Sequence, residues 1–262
     1  MKFIKNFIIF VAFISISGCA TTYNPVTAKN EFILINTSSE VALGSSISKQ
    51  ISLEKAIINE GRQKERVEKI GKRIAGFSDR KDLDYNFFVI KDKELNAFAV
   101  PGGFIYIHSA LAERSNDDEL ACVIAHEVVH VAARHSVKQL QAALGYQLLI
   151  SVALGGSDQG SVREITNMVF SLSQLGYSRQ DETLADKIGV KYAYLAGFNP
   201  QGMISFFNKL KAESEKRGQS LPIEIFSSHP DLDSRIKAVS EEIKLLKPLG
   251  MKASNTNFLR PG

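Results

Sequence analysis

The chain predicts an α+β fold, mainly α, with a small β-sheet or hairpin packed among many helices. Three observations carry that reading. Apolar residues recur at helical spacing before residue 78 and almost continuously after residue 108. β-Prone runs are confined to the interval between, where residues 98–100 and 104–107 flank the turn signal Pro101-Gly102-Gly103. The 262 residues, 44% hydrophobic and 23% charged, are ordinary globular material with no repeat or low-complexity tract, enough to bury one core.

Taken in order, Lys2 and Lys5 precede an apolar run from Phe7 to Ile16 that is short for a bilayer span and shaped like a signal-peptide core. It ends in Ile16-Ser17-Gly18-Cys19. That pattern looks like the lipobox of a bacterial lipoprotein, so residues 1–18 are expected to be a signal peptide and Cys19 to carry lipid; the plainer alternative is a cleavable signal with an incidental cysteine. Several acyl chains would anchor the protein stably, at about 0.8 kcal/mol per buried methylene. Ala20 in place of aspartate resembles, in a two-membrane bacterium, the pattern sent to the outer membrane. The formal net charge is +4, and two of those charges sit on Lys2 and Lys5. Nothing in that balance points to nucleic acid. Cys122 is the only other cysteine, so no intrachain disulfide is expected.

Residues 19–38, rich in Thr, Asn and Ser, read as a tether with one short extended piece at 32–35, and no core is expected to begin there. The main domain is placed at 39–246 and a C-terminal tail at 247–262. Val41, Ile47, Ile51, Val67, Ile70 and Ile74 predict two amphipathic helices over 39–78, and residues 85–90 read as a strand. The strongest helix is expected over 117–136: Asn116 is a candidate cap, acids occupy 117–119, and apolar residues fall at 120, 123, 124, 128 and 131. Further helices are expected from 137 to Gly155-Gly156, at 162–175, at 181–196, at 200–216 from Pro200, and at 231–246 after His229-Pro230. The apolar helices on either side of the 156–160 loop read as core, with a mobile lid or a contact with membrane proteins as the alternatives.

The chemistry lies in the strongest helix, where His126-Glu127-Val128-Val129-His130 is an HExxH motif. Residues four apart differ by about 40° around a helix, so both imidazoles project from one face and can chelate one ion while Glu127 reaches water on it. The apolar neighbours Val123, Ile124, Val128 and Val129 would make two uncommitted buried imidazoles expensive. A catalytic zinc takes three protein ligands and one open position. An extended motif with glycine at 133 and histidine at 136 is excluded by Ala133 and Ser136. A glutamate from a second helix is supplied by Glu182, with Asp186 four residues later to orient a ligand histidine. Alone, such a pair is more often a solvated face; HExxH upstream reverses that. Cys122 reads as a buried inert thiol, and His108 and His135 as structural rather than ligands.

With Asn96-Ala97-Phe98-Ala99-Val100-Pro101-Gly102-Gly103, Glu119-Leu120-Ala121 leading into His126–His130, Tyr177-Ser178-Arg179 with Glu182 and Asp186, and Ser228-His229-Pro230 with Arg235, the chain resembles the HtpX-like and CAAX-prenyl-protease-like family of zinc metallopeptidases, and within it the soluble periplasmic lipoprotein type. The resemblance runs over about 39–246. It implies a zincin-like metallopeptidase domain, one Zn2+ per chain on His126, His130 and Glu182, and endopeptidase activity with Glu127 as general base. It departs from the family in having no long membrane helices and no helical-repeat domain after residue 246, so a peptidase-only member is expected.

In the implied mechanism zinc polarises water and the scissile carbonyl, and Glu127 takes a proton that it later returns to the leaving amine. His229 reads either as a fourth ligand plugging the resting site, as an oxyanion donor, or as a plain helix-entry residue; Tyr177 is a second candidate donor. Arg235 pairs with a site carboxylate or lies on the surface. The strand beside the glycine turn is read as a cleft edge that holds extended peptide. The expected function is a lipid-anchored endopeptidase of the cell envelope, facing the periplasm from the outer membrane. Its expected partners are misfolded or stalled envelope polypeptides and the outer-membrane assembly machinery. The competing class is a lipid-anchored chaperone using the same cleft without turnover, against which the intact Glu127 argues.

Overall fold

The computed structural model describes residues 21–144, 151, 159–216 and 231–246. The expected signal peptide, Cys19, His229 and the tail lie outside them. In chain order the elements are β1 (Thr21–Asn24), β2 (Lys29–Phe32), α1 (Thr37–Glu54), β3 (Ile57–Ile58), α2 (Arg62–Ala75), β4 (Asn86–Ile90), β5 (Ala97–Val100) and β6 (Phe104–His108). After them come α3 (Ser109–Arg114), α4 (Asp117–Ala132), α5 (His135–Leu144), α6 (Gln159–Leu175), α7 (Arg179–Leu195), α8 (Gln201–Lys216) and α9 (Leu232–Leu246). This is the expected mainly-α, α+β arrangement. Among the described residues no helix is long and apolar enough to cross a membrane.

The larger sheet has the order β3-β4-β6-β5, with β5 and β6 antiparallel and β4 parallel to β6. Both of its faces are covered, which is why its strands read as nearly unbroken apolar runs. Phe87, Val89, Ala97, Ala99, Ile105 and Ile107 face a core shared with α2, α4, α7 and α8. The alternate residues Ile90, Phe98, Val100 and Tyr106 face Leu43, Ile47 and Ile51 of α1 and Ile165 and Val169 of α6. On that second face the rings of Phe88, Tyr106 and Phe98 stack across three strands with centroids 5.0 Å apart, a cross-strand ladder that fixes register. Of the apolar region around residues 140–175, Leu140, Ile165 and Val169 are therefore core, whereas Ala142 and Ala143 are exposed. The hairpin turn needs glycine: Gly103 has φ 94°, and a Cβ there would lie 2.4 Å from the carbonyl oxygen of Asp84.

α4 is the axis of the molecule. Asn116 and Glu119 form a reciprocal capping box with two 2.9 Å bonds, and every residue from Glu119 to Ala132 is buried. The helix does not run on to 136 as its sequence pattern suggested. It ends at Ala132, Arg134 adopts the left-handed conformation with φ 56°, and α5 restarts at His135. A non-glycine residue there costs about 1–2 kcal/mol, and tertiary contacts hold it: Arg134 Nε lies 3.3 Å from Glu40 and its Nη2 donates to Thr37 Oγ1 at 3.1 Å. Glu40 in turn takes two 3.0 Å bonds from Arg80.

A second difference concerns the expected tether. Residues 21–32 form the β1–β2 hairpin, Asn24 Nδ2 donates to the Ala133 carbonyl at 3.1 Å, and Ile33 and Ile35 are buried with the second core. The polar composition of the segment concealed this because a hairpin laid on an existing domain needs few apolar residues of its own.

Candidate active site

α4 and α7 cross at Gly189, where a Cβ would lie only 3.1 Å from the His126 backbone nitrogen. That approach, together with Ser178 capping α7 by accepting from the Asp181 N–H at 3.2 Å, brings the first turn of α7 over the HExxH face. His126 and His130 aim their Nε2 atoms at the same point, 2.8 Å apart. Glu182 meets them with Oε2 3.6 Å from His126 Nε2 and Oε1 3.4 Å from His130 Nε2. One donor atom from each of the three residues falls within 4.8 Å of the others, and all three residues are buried. Two imidazole nitrogens this close need a proton or a metal cation between them, and the carboxylate beside them stabilises that positive charge. Two nitrogens and one oxygen are a donor set that suits zinc and leaves a fourth position open.

Behind His126 lies a clamp. Its Nδ1 is 2.9 Å from Asp186 Oδ1, and Arg235 binds both oxygens of Asp186 from α9, Nη2 to Oδ1 at 2.6 Å and Nε to Oδ2 at 2.7 Å. Arg235 Nη1 also sits 3.2 Å from Glu182, and its guanidinium lies 4.6 Å over the Phe207 ring. Burial alone would raise the Asp186 carboxyl, but Arg235 and the bond with His126 outweigh it and hold that carboxyl below the usual range. Burial likewise works against the charge on Arg235, yet Asp186 and Glu182 push its pKa above the ordinary value. Arg235 thus belongs to the site and not to the surface.

Glu127 is 2% exposed. With His126 and Arg235 it lines a small recess whose other walls include Val123, Met203, Phe206, Phe207, Leu210 and Leu232. Tyr177 stacks on His130 with centroids 4.1 Å apart. Burial pushes its phenol up, so it stays protonated. His229 falls outside the described residues. Cys122 is buried, its sulfur beside the carbonyl oxygens of Asn199 and Pro200, and burial raises its thiol. His108 lies at the end of β6, 3.8 Å from Asp92.

His135, expected to be structural rather than a ligand, is not among the converging donors but lies directly behind one of them. Its Nδ1 is 2.7 Å from His130 Nδ1, and its Nε2 is 3.2 Å from Asp181. Its spacing gave no signal, because five residues along a continuous helix is a turn of about 140°, away from His130. Only the break at Arg134 brings the two rings together.

Residues 61–243 match the family description Peptidase family M48. A beta-barrel assembly-enhancing protease of Escherichia coli (strain K12) is 29% identical over 234 residues, covering 84% of this chain and 47% of that protein. The mitochondrial metalloendopeptidase OMA1 of Schizosaccharomyces pombe is 30% identical over 176 residues, 67% of this chain and 51% of that one. The metalloprotease LoiP of Escherichia coli is 30% identical over 161 residues, 60% and 62% respectively. The chain spans about half the length of the first of these relatives. Because the family match encloses His126, Glu127, His130, Glu182, Asp186 and Arg235 on the helices that converge here, the chain belongs to peptidase family M48, a family of metallopeptidases.

Proposed function

We propose that the protein is a zinc-dependent endopeptidase of the bacterial cell envelope, lipid-anchored through Cys19, that hydrolyses misfolded or stalled envelope polypeptides. The observation that carries the reading is the convergence of His126, His130 and Glu182, with Glu127 buried and lining an adjoining recess. Zinc on those three residues would supply Lewis acidity toward the scissile carbonyl and lower the pKa of water. Glu127 takes the proton of the attacking water and returns it to the leaving amine. Asp186 and Arg235 fix the His126 ring, and the apolar recess accepts a side chain next to the scissile bond. β5 is the terminal strand of its sheet, where an extended peptide can add as a further strand through main-chain bonds, with little demand on side chains.

The lipobox-like sequence around Cys19 supports the anchor, and a relative named for enhancing β-barrel assembly supports outer-membrane proteins and their assembly machinery as substrates and partners. We take 39–246 as the peptidase domain, with the 21–35 segment packed on it in place of a free tether, residues 1–18 as a removed signal peptide and 247–262 as a tail. His229 is assigned to plugging the resting zinc: His229→Ala then raises basal activity, whereas a fall of about tenfold or more would make it an oxyanion donor. Metal analysis together with casein digestion by wild type and Glu127→Gln tests the activity. One zinc per chain and digestion by the wild type alone are expected; full biological function in Glu127→Gln would favour the chaperone reading instead. Membrane fractionation of Cys19→Ala tests the anchor, with release or blocked processing expected.

A further inference from the structure

We propose that His135 is a positioning residue for the metal centre: its Nδ1 accepts the Nδ1–H of His130, so that His130 must present its Nε2 lone pair to the metal. The inference rests on the zinc reading of the site. A histidine that ligates through Nε2 carries its proton on Nδ1 and needs an acceptor there. For His130 that acceptor lies 2.7 Å away, at His135 Nδ1. Accepting at Nδ1 fixes His135 as the Nε2–H tautomer; among the described residues its Nε2 makes no hydrogen bond, and Asp181 Oδ1 lies 3.2 Å away as a neighbouring negative charge. Tyr177 restrains both rings, stacking on His130 at 4.1 Å and lying 5.5 Å from His135.

The backbone is arranged to make this contact. His135 opens α5 directly after the left-handed Arg134, and that turn is held by Glu40 and Thr37, far away in sequence. A histidine serving only to fill the core would need neither the acceptor geometry nor the carboxylate beyond it.

The test compares zinc affinity, by chelator competition, and the cobalt-substituted absorption spectrum in wild type, His135→Phe and His135→Asn. Phenylalanine fills the ring volume without an acceptor, whereas the Oδ1 of asparagine takes the place of Nδ1. Zinc binding about 10- to 100-fold weaker in His135→Phe, with His135→Asn within about threefold of wild type and an unchanged cobalt spectrum, is the expected result. Wild-type affinity in the phenylalanine variant, or equal loss in both variants, overturns the proposal. If neither ring variant folds, the wild type carries the test through the ring-nitrogen chemical shifts of its histidines: in the zinc-loaded protein a protonated Nδ1 on His130 and an unprotonated Nδ1 on His135 are expected, and a protonated Nδ1 on His135 overturns the proposal. A wild-type chain that binds no zinc defeats the zinc reading itself, which is a separate failure.

Discussion

His126 and His130 stand one turn apart on the same helix, yet they are backed in different ways. His126 leans on a fully buried carboxylate clamped by a buried arginine, so its support is ionic and draws on α4, α7 and α9. His130 leans on a neutral ring only five residues away, and the carboxylate beyond that ring is partly exposed. An ionic clamp removed from water is tied to folding, because losing either partner strands the other. A neutral hydrogen bond between two rings carries less desolvation, and its loss falls on ligand geometry. The two supports should therefore separate experimentally, one in stability and the other in metal affinity.

The largest effect is expected from a change that leaves both supports alone. Glu127→Gln should lower kcat by about 10²- to 10⁴-fold with zinc affinity unchanged; metal loss in this variant would show that Glu127 is a ligand and that the two-sided picture is incomplete. Next in size is Asp186→Ala, which leaves Arg235 buried without its two-oxygen partner. We expect the metal-free protein to lose about 3–5 kcal/mol in urea denaturation, against little change in metal-free stability for His135→Phe. Equal losses in the two would erase the distinction. Adding zinc measures the centre as a whole: free zinc at about 100 times its Kd should stabilise the wild type by about 2.7 kcal/mol relative to the chelator-treated form, and Asp186→Ala should gain less. The smallest effect is reserved for the rim, where Asp181→Ala should weaken zinc by about threefold, or roughly 0.7 kcal/mol, visible in chelator competition and nearly silent in denaturation.

Much of the site could be read from the residues. The i, i+4 spacing of His126 and His130, the same spacing of Glu182 and Asp186, and the cap signal at Asn116 are local features, and the structure brings the two helices together at those residues; the cap at Ser178 was not read. Arg235 was half legible: its charge suggested a carboxylate partner, but only the packing of α9 chose Asp186 over solvent. His135 was not legible at all, since on a continuous helix it points away from His130. The hairpin over 21–32 escaped for a related reason, its few apolar residues being buried by neighbours remote in sequence.

What the sequence by itself determined was everything that repeats at the period of its own backbone: the helices, the β-hairpin around Pro101-Gly102-Gly103, and two pairs of potential ligands and supports, each on one helical face. Tertiary structure decided where a helix stops and which helix faces meet. Arg134 turns left-handed because Glu40 and Thr37 hold it, and Gly189 sets how closely α7 approaches α4. Periodicity is a property of neighbours along the chain, whereas a strained turn or a close helix crossing is stabilised by contacts between distant segments. Those contacts exist only once the core has formed.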